Sequence, residues 1–370
     1  MGGVLHIVQS RDRGNMERHV RDLVLGLKDR VAGVVTGSAG WLPETLRAGG
    51  IEVYPAPHLQ RSKGVRDART GRAEVLDICI VKQPDVIHAH GPAALSAALP
   101  AAKEVPLVYT AHGLALPDPS QPGWQRGLSM RLQRTAARRV SAFVALTAYE
   151  ERAALELGFR RVLRIPPGVA RPEAAPADGD RGRVIGTASE LVRGKGLEEI
   201  IDALTRIPNC QLLVVGEGPF EVELIERAAA AGVRDRVEFL GWLEDVSHFH
   251  RRISVYVSLT QEAGLPHGAL DAIAAGLPVV LSDVPGHRKL VRHGLSGLLV
   301  RPGDIVHAAK AVDQILRDRI FARTARAEAL AISRQYDLGA MLARHAALYE
   351  EVMVRRRMRT PRLHLRPGAG

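Results

Sequence analysis

Short runs of apolar, often β-branched residues alternate with longer stretches of helical periodicity along the whole chain of 370 residues. Most of these short runs are apolar at nearly every residue, as strands buried on both faces of a parallel sheet are. Strands that alternate regularly with helices are typical of βα units, so the pattern predicts an α/β fold. The predicted strands span residues 4–8, 31–36, 51–54, 86–88, 107–110, 142–146, 184–187, 211–215, 237–240, 254–258, 278–281 and 297–300.

The strands fall into two groups, which predict two Rossmann-like doubly wound domains. Predicted helices between them include residues 15–30, 148–157 and 267–275. We expect the domains at residues 1–165 and 183–335, with a Pro- and Ala-rich linker at 166–182. A helix at 336–354 would pack back on the first domain, and a basic disordered tail would follow at 355–370. Ligands of doubly wound sheets bind at the carboxyl ends of the strands, so a cleft between facing domains is the expected site.

The positive charge of the chain is concentrated in two segments. The formal net charge is +11; five arginines without an acid lie at residues 124–139, six more lie at 355–366, and the rest is balanced. A nucleic-acid-binding protein is disfavoured, because aromatic residues make up 4% of the chain and none is interleaved with these arginines. In the first segment Leu128, Leu132 and Val140 recur at multiples of four, which predicts a helix lying on an anionic membrane surface. A helix packed on its own sheet would show the same spacing.

Cysteine usage and hydropathy indicate the cell compartment. Cys79 and Cys210 lie far apart within apolar runs, so we expect buried, unpaired thiols and a reducing cytoplasm. No basic segment precedes the first strand, and no apolar stretch approaches the ~18 residues of a membrane span. The sequence therefore predicts neither a signal peptide nor a transmembrane helix.

Histidines follow two predicted strands of the first half. His90 and Gly91 come after the strand at 86–88, and His112 comes after the strand at 107–110. Carboxyl ends of neighbouring parallel strands meet at one edge, so two such histidines favour a site there, while a single one is as often structural. The spacing of His, Asp and Cys indicates no metal site.

A glycine marks the turn after the first strand. Gly14 precedes the predicted helix at 15–30, for which Asn15 is the predicted N-cap. The glycine would let the backbone approach a ligand closely, although an ordinary βα turn uses glycine as well.

The second half contains a candidate phosphate site. Arg193 and Lys195 lie beside two glycines immediately before a predicted helix, where basic side chains and helix amides together bind phosphate. Gly216 with Glu217, and Trp242, follow two further strands, where a nucleobase could lie against glycine turns.

A second helix start would complete a nucleotide site. Pro266 precedes the first turn of the helix predicted at 267–275, and the amides of Gly264 and Leu265 would face a diphosphate. Asp271, in the second turn, is placed to accept hydrogen bonds from a ribose. A phosphate clamp, a base pocket and a ribose carboxylate together indicate a nucleoside diphosphate.

Nine motifs carry a resemblance to a known family. They are "GNMERHVRDL", "PDVIHAHG", "YTAHG", "IPPGV", "SELVRGKG", "VVGEGP", "VEFLGW", "EAGLPHGALDAIAAGLPVVLSDVPG" and "GLSGLLVRPGD". In this order, over nearly all of residues 4–353, they resemble the retaining nucleotide-sugar glycosyltransferases of family 4, which have the GT-B fold. The resemblance implies that the second domain binds the nucleotide sugar, that the first binds the acceptor, and that no divalent metal is needed.

The resemblance also implies individual roles. Lys195 would bind the diphosphate, Asp271 the ribose, and His112 the transferred sugar. Three positions depart from the family pattern: Glu190 aligns with the usual arginine of the phosphate loop, Ala263 with the first of two carboxylates, and Pro167 with an asparagine. We therefore assign the role of the first carboxylate to the adjacent Glu262 and that of the arginine to Arg193.

The predicted activity is transfer of a sugar, with retention, from a nucleoside diphosphate sugar to an acceptor hydroxyl. His112 and Glu262 are the predicted catalytic residues, and His90 and Gly91 would lie on the acceptor side. The resemblance favours a UDP-sugar donor, a glycan or lipid-linked acceptor, and proton transfer to a donor phosphate oxygen. A nucleotide-sugar 2-epimerase of the same fold and an inactive transferase-like binding protein are the alternatives.

Overall fold

Two parallel sheets, one of seven strands and one of six, form the framework of the chain. They lie in two units: unit 1 comprises residues 1–168 and 339–370, and unit 2 comprises residues 169–338. The computed structural model describes residues 3–10, 13–37, 39–61, 65–112, 123–170, 182–261 and 266–359.

The sheet of unit 1 has the strand order β3-β2-β1-β4-β5-β6-β7, and all its pairs are parallel. Its strands are β1 (Val4–Val8), β2 (Val31–Thr36), β3 (Val53–Pro55), β4 (Val86–His90), β5 (Leu107–Thr110), β6 (Ala142–Ala145) and β7 (Val162–Arg164). The helices between them are α1 (Asn15–Gly26), α2 (Trp41–Ala48), α3 (Pro57–Arg61), α4 (Val65–Lys82), α5 (Gly91–Ala98), α6 (Gly123–Ala137) and α7 (Ala148–Glu156).

The sheet of unit 2 has the order β10-β9-β8-β11-β12-β13, again with parallel pairs only. Its strands are β8 (Val184–Ala188), β9 (Gln211–Val215), β10 (Val237–Phe239), β11 (Val255–Ser258), β12 (Val279–Ser282) and β13 (Gly297–Val300). Its helices are α8 (Leu197–Leu204), α9 (Glu221–Ala230), α10 (Ser247–Arg252), α11 (His267–Ala274), α12 (Ile305–Arg317) and α13 (Arg319–Ser333), and α14 (Leu338–Arg359) returns to unit 1.

Both sheets reverse their strand order at one point, so the predicted α/β class with doubly wound domains is confirmed. The reversal lies between β1 and β4 in unit 1 and between β8 and β11 in unit 2. In such sheets the crevice at the reversal, at the carboxyl ends of the strands, is where ligands bind. Each unit therefore has one preferred place for a site.

The predicted strands are all present, with ends shifted by at most two residues, but β7 was not predicted. It is a three-residue strand at the edge of the sheet, and its residues are half-buried or exposed. A strand this short and this exposed leaves no apolar run in the sequence.

The chain end differs from the prediction of a helix at 336–354 followed by a disordered tail. Helix α14 begins at Leu338 and continues to Arg359, through the first residues assigned to the tail. Nothing breaks the helix before Pro361, and Glu351 pairs with Arg355 one turn further on at 2.8 Å. Residues 360–370 lie outside the described residues.

The two faces of the unit 1 sheet differ in chemistry. Leu5, Ile7, Ile87, Ala89 and Tyr109 are buried in one large apolar cluster. The alternate positions of the same three strands point to the opposite face, because successive side chains of a strand alternate. Those positions include His6, His88, His90 and Thr110, all buried. A polar layer therefore lies behind the apolar core of this unit.

Close packing under β8 provides a test of the unit 2 core. A methyl group added to Gly186 would lie 2.6 Å from the Phe249 ring and 2.7 Å from Ile253. We expect Gly186→Ala to lower the stability of the chain by about 1–3 kcal/mol, because the core must move to admit the methyl group. Gly127→Ala, in α6, is the control: within the described part of the chain, no heavy atom lies within 4 Å of that methyl position. Differential scanning calorimetry would contradict this packing if both variants unfolded at the temperature of the wild type.

Candidate functional site

In unit 1 the ends of β1, β4 and β5 lie side by side at the point where the strand order reverses. Val8 pairs with His90, and His90 pairs with Thr110. His112, two residues beyond β5, has a φ of +54°, an uncommon conformation for a residue with a side chain. The structure thus brings together the two histidines that the sequence analysis selected.

These two histidines belong to a larger cluster of imidazole rings. In this cluster each imidazole ring has its centroid within 6.4 Å of the centroid of another. The members are His6, His19, His88, His90, His112 and His345, and the Tyr349 ring lies next to three of them. Strands β1 and β4, the turn after β5, and helices α1 and α14 contribute the rings. Five of the six are fully or almost fully buried, and His112 is half-buried.

Hydrogen bonds organise the centre of this histidine cluster. His6 Nδ1 lies 3.1 Å from His90 Nε2, and His90 Nδ1 lies 3.0 Å from His112 Nε2. Both ring nitrogens of His90 are therefore engaged by other histidines. His90 was predicted to lie on the acceptor side, but its side chain is 0% exposed and both of its nitrogens already have partners.

His88 is satisfied separately, by two hydroxyl groups. Its Nδ1 lies 2.7 Å from the Tyr349 hydroxyl of α14, and its Nε2 lies 2.8 Å from Thr110 Oγ1. A hydroxyl can donate or accept, so these two bonds suit either neutral form of the ring.

Burial keeps His6, His88, His90 and His345 neutral. Burial, with a smaller contribution from the nearby His345, lowers the pKa of His6 to about 3. Burial also lowers the pKa of His345 to about 4. Burial also lowers the pKa values of His88 and His90 well below the ordinary range, and the neighbouring histidines add to the shift. An imidazolium here would lose its hydration and meet other rings that compete for the same proton.

Three members of the cluster have the geometry of a possible metal site. One nitrogen each of His6, His88 and His90 lies within 4.8 Å of the others. Their hydrogen bonds argue for a different arrangement, because His88 and His90 already use both nitrogens on protein partners. A metal ion would have to replace at least two of these bonds.

Four members of the cluster were not predicted as site residues, namely His6, His19, His345 and Tyr349. The signal for His6 was present in "VLHIV", where a histidine interrupts a strand that is otherwise apolar. For His345 and Tyr349 no local signal exists, because they lie in an ordinary helical pattern near the end of the chain.

The glycine turns of unit 1 lie around the same edge. Gly14, rather than the predicted Asn15, is the N-cap of α1, and its carbonyl accepts the first helical hydrogen bond, from Arg18 at 3.0 Å. A methyl group on Gly14 would lie 2.6 Å from a Glu17 carboxylate oxygen. Gly91, with a φ of +82°, begins α5. A side chain at Gly14 would require Glu17 to move, and a side chain at Gly91 would be strained by the positive φ.

In unit 2 the loop after β8 is tied to the end of β11. Thr260 Oγ1 donates to the Gly194 carbonyl at 3.2 Å, and the Gln261 amide donates to the same oxygen at 3.3 Å. Gly196 has a φ of +74°, and a side chain there would collide with the carbonyl of Leu259. The loop therefore has a defined position at the reversal of the strand order.

The predicted basic residues lie on this loop. The Arg193 guanidinium stacks over the Phe220 ring at 4.4 Å and is exposed, and Lys195 is half-buried. Glu190, where the family resemblance would place an arginine, is exposed to solvent. Stacking holds Arg193 near its backbone while leaving its charge available to an anion.

The glycine turns after β9 and β10 meet beside this loop. The Gly216 amide donates to the Gly241 carbonyl at 2.9 Å, and a Glu217 carboxylate oxygen accepts from the Trp242 amide at 3.4 Å. A side chain on Gly216 would collide with the carbonyl of Ser189. The residues predicted to line a base pocket thus share one edge of the sheet with the basic loop.

Helix α11 completes this edge. Pro266 is its N-cap residue, and Asp271, in its second turn, is 8% exposed. Asp271 lies close enough to Tyr256 that its charge adds to the rise in the pKa of that phenol, which burial mainly causes. The Tyr256 hydroxyl donates to the carbonyl of Ala188, at the end of β8. The predicted site residues Glu262, Gly264 and Leu265 lie outside the described residues, as does Ala263.

Helix α6 carries part of the arginine-rich segment. Arg131, Arg134, Arg138 and Arg139, in the helix and the turn after it, are exposed. Val140, predicted to face lipid, is instead buried in the apolar cluster of unit 1, beyond the end of the helix. The side chains of Leu128 and Leu132 lie outside the described residues. Within the described part of the chain, no helix is long and apolar enough to cross a bilayer.

Comparison with known proteins connects both halves to one class of enzymes. Residues 173–331 match the family Glycosyl transferases group 1, and residues 14–168 match the Glycosyl transferase 4-like domain. The lipopolysaccharide core biosynthesis glycosyltransferase LpsE of Rhizobium meliloti (strain 1021) is 32% identical over 173 residues, 44% of this chain and 50% of that protein. The phosphatidyl-myo-inositol mannosyltransferase of Mycobacterium leprae (strain TN) is 28% identical over 285 residues, 72% of this chain and 74% of that protein.

Solved structures share the fold. Anabaena Alr3699/HepE in complex with UDP-glucose superposes with a TM-score of 0.79 at 22% identity, over 95% of this chain and 100% of that chain. Together with the two doubly wound sheets, this likeness confirms the predicted GT-B fold class. The chain spans about half the length of several of the curated relatives that it matches.

The neutral histidine cluster predicts how the stability of the chain depends on pH. The unfolded chain binds protons near pH 6.5, but His6 and His345 bind them only near pH 3 and pH 4 when folded. Stability therefore falls as pH drops from about 7 to 4, with up to one proton taken up on unfolding for each of the four histidines whose pKa is lowered. Denaturant unfolding measured across this range checks the slope.

Two variants make this prediction specific. His345→Leu should make the slope shallower, because one of the buried imidazoles is gone. His248→Gln, at an exposed position of α10, should leave the slope unchanged. An equal slope in wild type and His345→Leu would contradict the assignment of the proton uptake to this cluster.

Proposed function

This chain belongs to the group 1 glycosyl transferases, and we propose that it transfers a sugar, with retention of configuration, from a nucleoside diphosphate sugar to an acceptor hydroxyl. The observation that carries the proposal is the edge of unit 2, where a basic glycine loop, two glycine turns and the buried Asp271 come together. Each matches one part of a nucleoside diphosphate.

Unit 2 is proposed to bind the donor. Lys195 and Arg193 supply positive charge for the diphosphate, Asp271 accepts hydrogen bonds from the ribose, and the turns around Gly216 and Trp242 receive the base. UDP is the favoured nucleotide, since the solved structures with the same fold include complexes with UDP and with UDP-glucose. Pro266 is the N-cap residue of α11, and the amides at that helix terminus are proposed to face the same anion.

The proposed chemistry is electrostatic. Negative charge develops on the diphosphate as the bond to the sugar breaks, and Arg193 and Lys195 stabilise it at that moment. Arg193 takes the place of the arginine that Glu190 replaces. His112 in unit 1 contacts the transferred sugar, Glu262 orients it, and a donor phosphate oxygen takes the acceptor proton. No metal ion is required in this scheme.

The acceptor is proposed to be a glycan or a lipid-linked glycan, held on the unit 1 side near Gly91. Relatives of this chain include glycosyltransferases of lipopolysaccharide core biosynthesis and a phosphatidyl-myo-inositol mannosyltransferase. These names support membrane-borne glycan acceptors as a class.

Donor binding and transfer test this function together. We expect calorimetry with a panel of nucleotide sugars to detect a UDP-sugar, and Lys195→Ala and Asp271→Asn each to weaken its binding by about 1.5–3 kcal/mol, because each removes a charged hydrogen bond. Proton NMR of the product should show the anomeric configuration of the donor, and EDTA should leave the rate unchanged.

The control removes the same charge elsewhere in unit 2. Lys310→Ala, at an exposed position of α12, should bind the donor like wild type. Unchanged affinity in both site variants would remove the proposed nucleotide site. Interconversion of the nucleotide sugar without transfer would favour the epimerase, and binding without any reaction would favour an inactive binding protein.

A peripheral membrane contact is proposed as part of this function. The four exposed arginines of α6 and the turn after it form the basic surface that supports it. Each arginine near an anionic bilayer contributes about 1 kcal/mol, so four could hold the protein reversibly at the inner leaflet of the cytoplasmic membrane. Val140 is buried, so it cannot belong to an apolar face that contacts lipid. The proposed attraction to the membrane therefore comes from the charge of the arginines.

Sedimentation with vesicles tests this contact. We expect binding to anionic but not neutral vesicles at low salt, and loss of that binding at high salt, where charges are screened. Replacing Arg131, Arg134, Arg138 and Arg139 by serine should abolish it. Replacing four exposed arginines of unit 2, namely Arg206, Arg251, Arg317 and Arg323, lowers the net charge equally and should have a smaller effect. Binding that neither set of replacements changes would contradict the assignment to α6.

A further inference from the structure

His6, His90 and His112 form an unbroken line of hydrogen-bonded imidazoles in unit 1. The line runs from His6 Nδ1 to His90 Nε2 over 3.1 Å, and from His90 Nδ1 to His112 Nε2 over 3.0 Å. His6 and His90 are buried, while His112 is half-buried, so only one end of the line is accessible.

The protonation of such a line is strongly restricted. A neutral imidazole has one N–H donor and one bare nitrogen that accepts. Burial lowers the pKa of both His6 and His90 far enough that they are neutral at ordinary pH. Each bond in the line needs one donor and one acceptor, so both bonds must point in the same direction along the chain of rings. Only two arrangements of protons satisfy this condition.

The buried end favours one of the two arrangements. Among the described residues, no donor or acceptor reaches His6 Nε2. If that nitrogen carried the proton, a buried N–H would have no partner, which is rarer in proteins than an acceptor without one. The proton of His6 is therefore on Nδ1. His90 then accepts at Nε2 and donates from Nδ1 to His112.

We infer that His90, oriented by His6, holds His112 as the tautomer with its proton on Nδ1. His90 is a positioning residue in this assignment, and His112 is the group that meets a ligand. The inference rests on the proposed function for its catalytic meaning: the Nδ1–H of His112 is a fixed donor toward an oxygen of the transferred sugar. This is the less common tautomer of a free histidine side chain, so it needs the partner that His90 provides.

The rings of His88 and His345 form their hydrogen bonds outside the line. The two hydroxyls bonded to His88 satisfy that ring without using a nitrogen of the line. His345 donates from Nδ1 to the Met341 carbonyl, 3.0 Å away, within its own helix. His345 is thus buried in the same cluster but has no bond to His6, His90 or His112 among the hydrogen bonds described above.

Nitrogen NMR of full-length protein labelled with ¹⁵N-histidine tests the inference directly. Two-bond proton–nitrogen correlations distinguish the two neutral tautomers, and the loss of one signal set in His112→Gln assigns His112. We expect His112 in the wild type to be protonated on Nδ1. Protonation on Nε2 in the wild type would overturn the inference, whatever the variants do.

Substitutions at His90 test the cause. His90→Ala should release His112 to a mixture of tautomers or to the Nε2–H form. His90→Asn places an amide N–H near the position of Nδ1 and should preserve the wild-type tautomer, whereas His90→Gln, whose amide lies nearer Nε2, should not. His345→Leu is the matched control, with a buried imidazole lost outside the line, and should leave the His112 signals in place. A wild-type tautomer in folded His90→Ala would overturn the positioning role.

Activity and metal content separate the remaining explanations. With a nucleotide sugar that the wild type transfers, His90→Ala should lower kcat about five- to tenfold with unchanged donor affinity, and His90→Asn should recover most of it. If the wild type transfers no sugar, the proposed function fails while the tautomer result is still decided. Dialysis against ZnCl₂ should leave no stoichiometric zinc; retention of about one equivalent, lost in His6→Ala, would overturn the line in favour of a metal site.

Discussion

Parallel pairing of every strand is the constraint on which the rest of this structure depends. It buries the central strands on both faces, which favours apolar or hydrogen-bonded side chains there, and it brings the carboxyl ends of all strands of a sheet to one edge. In unit 1 that edge holds His90 and His112; in unit 2 it holds the basic loop, Trp242 and the start of α11. Both proposed ligand sites follow from this single feature.

The fold could be predicted from the sequence wherever burial leaves a pattern. Central strands such as β1 and β9 are apolar runs because both of their faces are covered, and their bounds were predicted without error. The edge strand β7 is partly exposed and has no such run. The end of α14 was placed too early because the arginines suggested a solvated tail, whereas the ion pair of Glu351 with Arg355 suits a continuing helix.

The candidate site was predictable only where its chemistry is local. Lys195 lies between glycines before a helix, and His112 follows a strand directly, so each could be selected from a few neighbouring residues. His6 and His345 are 339 positions apart in the chain, and both border His88 only because α14 packs on the sheet of unit 1. No local sequence pattern indicates a contact of that kind, so His6, His19 and His345 were missed, while His90 and His112 at the strand ends were found.

Stability alone does not account for that layer. A face of the sheet filled with Val and Leu would bury more apolar surface and would carry no risk of an unpaired nitrogen. The buried imidazoles also lower the free energy of unfolding below pH 6.5, because the unfolded chain binds protons there that the folded chain does not bind. An apolar layer could not supply the directed hydrogen bond between His90 and His112 at the strand ends. His112 is the half-buried member of the cluster and lies there at the surface. The position of His112 at the open end of the line is therefore the strongest structural reason to connect the buried layer with the reaction.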